Sequence, residues 1–126
     1  MKVLLDTNAL MVPEQFGVDI FSEMLRLGYA EHLVPLPVQR ELKYLTKKAD
    51  KGLDKLAAKV GLGLAESCKI ISSEEDADQA LEKLAVRENA AVFTNDKELK
   101  KRLIRRGITV IYLRQGRYLE AAKKEI

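Results

Sequence analysis

The chain begins MKVLLDTN, and the apolar run from Val3 to Leu5, stopped abruptly by Asp6, leaves few folds open to it. Such a run suits a strand buried on both faces of a parallel sheet, with Asp6 at its carboxyl end. In open α/β sheets that edge is where ligands bind. Three further acids, Glu41, Asp78 and Asp96, lie at or near the ends of other inferred elements that can bring them toward it. Asp6 is thereby marked as the hub of an acidic, metal-binding site.

The rest of the chain supplies the partners such a strand needs. Residues 7–17 contain Pro13 and Gly17 without a sustained period and are expected to be mostly loop. Val18, Phe21, Met24 and Leu25 recur at three- and four-residue steps and predict an amphipathic helix over 18–27, ended by Gly28. Residues 32–36 form a second short strand. Pro37 suits the first turn of a helix whose apolar stripe is Val38, Leu42, Leu45 and Ala49, with Glu41 in that first turn. Residues 53–64 continue helical, with Leu53, Leu56, Ala57, Val60 and Leu64 inward, Lys51, Lys55 and Lys59 outward, and Gly61 and Gly63 weakening the end.

Residues 69–71 are a third strand. Ser73 to Asp76 has the shape of a capping box, and Ala77, Ala80, Leu81, Leu84 and Ala85 form the buried stripe of the helix that follows. Asp78 falls in or near its first turn. Residues 90–94 are a strand ending on Thr94, Asn95 and Asp96. Leu99, Leu103 and Ile104 mark a helix stopped at Gly107, and residues 108–113 are the last strand. Alternating strands and helices imply right-handed crossovers and a three-layer α/β/α sandwich on a parallel sheet. Only the tail from Arg114, residues 114–126, lies outside the pattern.

Composition narrows the chemistry. The 126 residues, 47% of them hydrophobic, fit a single domain with a real core. No apolar run reaches the length of a membrane span, and the acid at position 6 interrupts any leader-like apolar core, so a soluble, cytoplasmic protein is expected. One cysteine, Cys68, and one histidine, His32, exclude an internal disulfide and a Cys/His zinc site. Cys68 reads as a small core residue and His32 as a strand-edge residue. Carboxylates remain as metal ligands, and they select hard cations such as Mg2+ or Mn2+. Net charge is only +3, but residues 97–126 hold ten Lys or Arg against three Glu, while residues 72–78 hold four acids and no base. A basic surface beside an acidic pocket suits a polyanionic substrate.

Three or four converging acids can hold one or two divalent ions for phosphodiester chemistry, and without a cation they would raise one another's pKa. Acids near helix N-termini are also favoured by the helix dipole, which offers Glu41, Asp78 and Asp96 a purely structural role.

The segments DTN at Asp6, VQRELKYL at Glu41, EDADQAL at Asp78 and FTNDKELKKRL at Asp96 resemble, in order and spacing, the four-acid signature of PIN-domain ribonucleases. The resemblance covers residues 2–113, and TNDKELKKR followed by IYL and RQGRY is similar to the PIN nucleases that process small-subunit ribosomal RNA. It implies a five-stranded parallel sheet in the order 3-2-1-4-5. It also implies a Mg2+- or Mn2+-dependent endoribonuclease with Asp6, Glu41, Asp78 and Asp96 around the metal, and Glu98 reaching it through water. Thr7, Asn8, Thr94 and Asn95 stand where the family places supporting polar residues. Gln79 departs from relatives that carry a second aspartate there, and Glu74, Glu75 and Asp76 compete with Asp78 for the third ligand position. The helix phase that Asp78 shares with Leu81 and Ala85 favours it over Asp76.

RNA is expected along Lys97, Lys100, Lys101, Arg102, Arg105 and Arg106; Arg114, Arg117 and Tyr118 either add phosphate contacts and a stacking ring or belong to a tail packed on the core. Two roles share this chemistry: ribosomal-RNA processing with pre-ribosomal partners, and a VapC-like toxin held by an antitoxin. The segment 11–17, with Met11, Val12 and Phe16, reads either as core packing or, by analogy with PIN dimers, as a homodimer surface, the second being favoured. The alternative from another class is a non-catalytic RNA-binding or ribosome-assembly module. A phosphoacceptor receiver domain fits less well, because KVLLDTN offers one acid and IYLRQ no lysine.

Overall fold

A computed structural model of the chain describes residues 1–48 and 52–124. Strands β1 (Lys2–Leu5), β2 (Glu31–Pro35), β3 (Lys69–Ile71), β4 (Ala91–Phe93), β5 (Val110–Arg114) and β6 (Tyr118–Ala122) form one sheet in the order β3-β2-β1-β4-β5-β6. The first five pair in parallel and reproduce the expected 3-2-1-4-5 order. The sixth runs antiparallel to β5, with Leu113 opposite Leu119. The sheet is therefore mixed and has six strands, and the segment read as a tail is its edge. Gln115 and Gly116 turn the chain with φ of 56° and 66°, the positive pair a type I′ hairpin turn requires. Arg117 N–H closes the turn on the Arg114 carbonyl at 3.1 Å.

Strand alternation divides the core into two clusters. Val3 and Leu5 face one way with Val34, Phe93 and Ile111, against α1 (Thr7–Phe16), α2 (Ile20–Arg26), α3 (Leu36–Lys48) and α4 (Gly52–Ala65). Leu4 faces the other way with Leu33, Val92 and Val110, against α5 (Ala77–Glu88) and α6 (Lys97–Arg105). These are the three layers.

The largest departure from the expected elements is α1, where a loop was anticipated. Asp6 caps its N-terminus, Gly17 closes its C-terminus with φ of 68° and an N–H to the Pro13 carbonyl, and Ala9, Leu10, Met11 and Val12 are buried. Burial of four consecutive apolar residues outweighs the helix-breaking tendency of Pro13. Met11 and Val12 are thus core, and of the segment expected to form a dimer surface only Phe16 presents a large apolar side chain, 52% exposed.

Helix α4 runs through Gly61 to Ala65. A Cβ at Gly61 would stand 2.8 Å from the Leu10 carbonyl oxygen, so the glycine lets α4 lie directly against α1. Ala57, Ala58 and Ala65 face inward, whereas Leu56, expected inward, is 45% exposed. The expectations for Ala49, Lys51 and the Leu53 side chain lie outside the described residues. The expected capping box also resolves differently, since Asp76 caps α5 through Gln79 N–H and Ser73 Oγ instead accepts from Glu75 N–H. No described helix is long and apolar enough to cross a membrane.

The sheet order reverses at β1, whose neighbours are β2 on one side and β4 on the other. At such a switch point the connections leave in opposite directions and open a crevice at the strands' carboxyl ends. Asp6 and Thr94 are the residues that immediately follow β1 and β4 there.

Candidate active site

Asp6 continues the β1–β4 ladder with its own backbone, its N–H donating to the Phe93 carbonyl at 3.0 Å. Its side chain then caps α1. Oδ1 accepts from Thr7 N–H at 2.7 Å, and Oδ2 accepts from the Thr94 hydroxyl at 2.7 Å and from Asn8 Nδ2 at 3.2 Å. Asp6 is 5% exposed and Thr94 fully buried.

The supporting residues lock the neighbouring strand ends together. Asn95 N–H donates to Asn8 Oδ1 at 2.9 Å, and Asn95 Oδ1 accepts from Leu113 N–H at 2.8 Å, so the ends of β1, β4 and β5 share one network. Thr94 Oγ1 also accepts from Asp96 N–H at 3.1 Å. Asp96 caps α6, its Oδ1 accepting from the backbone N–H groups of Glu98 and Leu99. Five of the residues named from sequence, Asp6, Thr7, Asn8, Thr94 and Asn95, are thus joined by direct hydrogen bonds, and Asp96 joins them through its N–H to the Thr94 hydroxyl.

Glu41 and Asp78 approach from other helices. Glu41 is exposed and lies beyond the first turn of α3, which begins at Leu36 and carries no acid in that turn; the dipole role anticipated for it is therefore weakened. Asp78 is exposed in the first turn of α5, as expected, while Asp76 spends its carboxylate on the cap. The charges of Asp78 and Glu41 both act on Asp6, and that of Asp96 acts on Asp78. Burial, opposed by the Thr94 and Thr7 bonds and reinforced by these two acids, pushes Asp6 up to about 6. Asp78 is also raised, first by desolvation and then by Asp96. A carboxyl raised by burial and like charge marks a place suited to a cation.

No three described His, Cys, Asp or Glu side chains are gathered tightly enough to make a ready-formed metal cluster. In kind, however, the donors fit a hard dication. All are carboxylates, Asp6 has no described ion-pair partner, and Thr7 Oγ1 beside it is buried without a hydrogen-bond partner. Glu98 is exposed in the first turn of α6. Cys68 packs against the core, where burial pushes its thiol up to about 11, and His32 Nε2 lies 2.9 Å from the Tyr29 carbonyl.

The basic residues of α6 divide into two sets. Arg102 and Arg106 both pair with Glu82, at 2.8 and 2.6 Å. Lys97, Lys101 and Arg105 are exposed and have no ion pair among the described residues. Lys100 Nζ sits 3.4 Å from the centre of the Tyr112 ring. Arg114 pairs with Glu120 at 2.7 Å, and Arg117 and Tyr118 are exposed beside it on the hairpin. Glu82, Glu120 and Tyr112 were not singled out from sequence. Glu82 carried the one available signal, four residues after Asp78 and so on the same face of α5.

Residues 3–116 match the model of a family described as a PIN like domain. Over 114 residues the chain is 32% identical to ribonuclease VapC9 of Archaeoglobus fulgidus, covering 90% of this chain and 84% of that protein. Over 124 residues it is 36% identical to ribonuclease VapC4 of Methanocaldococcus jannaschii, covering 94% and 95%. Its fold superposes on the PIN domain endonuclease Utp24 with a TM-score of 0.78 at 22% identity, covering 97% of this chain and 91% of that one. An α/β sandwich with an acidic crevice at its switch point defines a class of protein, and the sequence matches place it: the chain belongs to the PIN-domain family.

Proposed function

We propose that this protein is a divalent-metal-dependent endoribonuclease that cleaves RNA phosphodiester bonds at the crevice around Asp6. Membership of the PIN family, with two ribonucleases among the relatives, supports a nuclease-type function. The observation that carries the finer reading is the state of Asp6, a buried carboxylate at the sheet's switch point, acted on by two other acids.

In this reading Asp6, Glu41, Asp78 and Asp96 hold Mg2+ or Mn2+, with Glu98 acting through water. The bound ion supplies charge neutralisation at the scissile phosphate and activation of water. The chain's own residues do the positioning. Thr7 N–H, Asn8 and the Thr94 hydroxyl fix both Asp6 oxygens, so the carboxylate has little freedom to lose when a ligand binds. Asn95 ties this group to β5. Lys97, Lys100, Lys101 and Arg105 offer charge to the flanking phosphates, while Arg102 and Arg106, already paired with Glu82, border the acids. Arg114, Arg117 and Tyr118 extend the surface along the hairpin.

Of the two biological roles, the VapC-like one is favoured, because the relatives at 32% and 36% identity are VapC ribonucleases whereas the likeness at 22% carries the fold alone. A partner antitoxin covering the crevice, and a homodimer, belong to that role. Incubating labelled RNA with the purified protein, with and without Mn2+, tests the activity. Cleavage by wild type and none by Asp6→Asn is expected. Clear RNA binding with no cleavage under any divalent metal would establish the non-catalytic alternative instead.

A further inference from the structure

Beside the acids lies a second cavity of opposite character. It occupies about 520 Å³ between the end of α1, the start of α6 and the β5–β6 hairpin, and no carboxylate lines it. That volume is within the range of small-ligand sites. Asn8 and Asn95 are among its lining residues, and Asn8 Nδ2 donates to Asp6 Oδ2 at 3.2 Å, so one side chain separates the cavity from Asp6.

Its other walls are built from three kinds of side chain. Phe16 is an exposed aromatic ring held against the hairpin: a Cβ at Gly116 would stand 3.3 Å from it. Gln15 and Gln115 bring amides, each with donor and acceptor groups. Lys97 and Lys100 bring positive charge, and Lys100 is steadied over the Tyr112 ring, whose hydroxyl donates to Glu120 at 3.0 Å. An apolar face, amides and cations together match the face of a base, its hydrogen-bonding edge and the phosphate of the same nucleotide.

We propose that this cavity receives an unpaired nucleobase of single-stranded RNA, stacked on Phe16 with its edge toward Gln15 and Gln115, and so selects where the chain is cut. The inference rests on the ribonuclease reading but concerns binding, which is measured without metal. A base locked in a duplex cannot enter, so the site requires an unpaired nucleotide near the scissile bond.

The test uses fluorescein-labelled single-stranded RNA decamers in EDTA, one intact and a series each with a single abasic nucleotide, read by fluorescence anisotropy. Wild type is expected to lose about tenfold in affinity at one position of the series. Phe16→Ala should bind the intact decamer about tenfold more weakly and lose the positional profile, while Phe16→Tyr keeps both. Circular dichroism melting of the variants controls for folding, since Phe16 lies at the surface. With each of the four bases at the sensitive position, Gln115→Gly, which the positive φ accepts, should narrow the spread of affinities. A Phe16→Ala protein with wild-type affinity and an unchanged profile would overturn the proposal. Cleavage with Mn2+ is scored separately on the same decamers: its failure defeats the nuclease reading and leaves the binding profile standing.

Discussion

The Thr94 hydroxyl donates a 2.7 Å hydrogen bond to Asp6 Oδ2 while accepting from Asp96 N–H, so one side chain supports two acids 90 residues apart on different strand ends. That bond is a main force holding Asp6 below the value burial alone would impose. Replacing Thr94 with valine keeps the shape and removes both functions. We expect the variant to fold, to lose about 1–3 kcal/mol at pH 7 in urea unfolding, and to bind Mn2+ more weakly by calorimetry. Thr94→Ser should restore both. A valine variant equal to wild type in both measurements would remove the hydroxyl from the site.

The raised pKa of Asp6 sets a second expectation. Its native value of about 6 exceeds the ordinary 3.8, so the native state binds the proton more tightly than the unfolded chain. Asp6 therefore favours folding fully below pH 3.8, and this contribution is lost as pH rises through about 6. In metal-free protein the loss is on the order of 2–3 kcal/mol, read as the difference from an Asp6→Asn control over the same window. Mn2+ must displace the same proton, so its apparent affinity should weaken as pH drops below about 6, by up to about tenfold per unit. Equal affinity at pH 5 and pH 7 would exclude Asp6 as a ligand.

Salt dependence separates the two sets of basic residues. Each phosphate contact on a single strand contributes about 0.7 to the slope of log affinity against log salt. Replacing Lys97, Lys101 and Arg105 together with alanine should flatten that slope by up to about 2 while Mn2+ binding stays intact. An unchanged slope would take these three residues out of the RNA interface.

At the other margin of the sheet, Leu119 N–H donates to Glu23 Oε1 at 2.9 Å and Arg26 donates to the Leu119 carbonyl at 2.7 Å. Leu113, opposite Leu119, turns its own N–H toward Asn95, so these Leu119 groups point out of the open edge. The Glu23–Arg26 pair on α2 thus occupies the place of a seventh strand, a guard against edge-to-edge pairing. Glu23→Ala with Arg26→Ala should cost about 1 kcal/mol and raise self-association in sedimentation velocity. A double variant that stays monodisperse at every concentration where wild type does would show the edge needs no guard.

The parallel strands and most helices were legible because their signals are local. Three or four apolar residues in a row, or a stripe repeating every three or four, reflect choices made within one turn or one strand. Two elements escaped for the opposite reason. In α1 the local signals, Pro13 and Gly17, argue for a loop, and the helix stands because α4, some 50 residues on, buries Leu10 against Gly61. In β6 the sequence YLEAA has little alternation, and it becomes a strand because β5 offers it an edge. Gly116 was the readable hint, a turn glycine in the three-residue loop between the paired Arg114 and Tyr118.

The same division runs through the site. That Asp6 ends a strand, that Asp76 precedes a helix and that Asp96 caps another are consequences of neighbouring residues, and the chain's order of elements states them. Which oxygen of Asp6 meets Thr94, how far burial raises its pKa, and that Phe16 closes a cavity against Gly116 depend on groups brought together from distant parts of the chain. Those distances are set by the pairing of β1 with β4 and by helix packing on both faces, interactions that no stretch of sequence contains by itself.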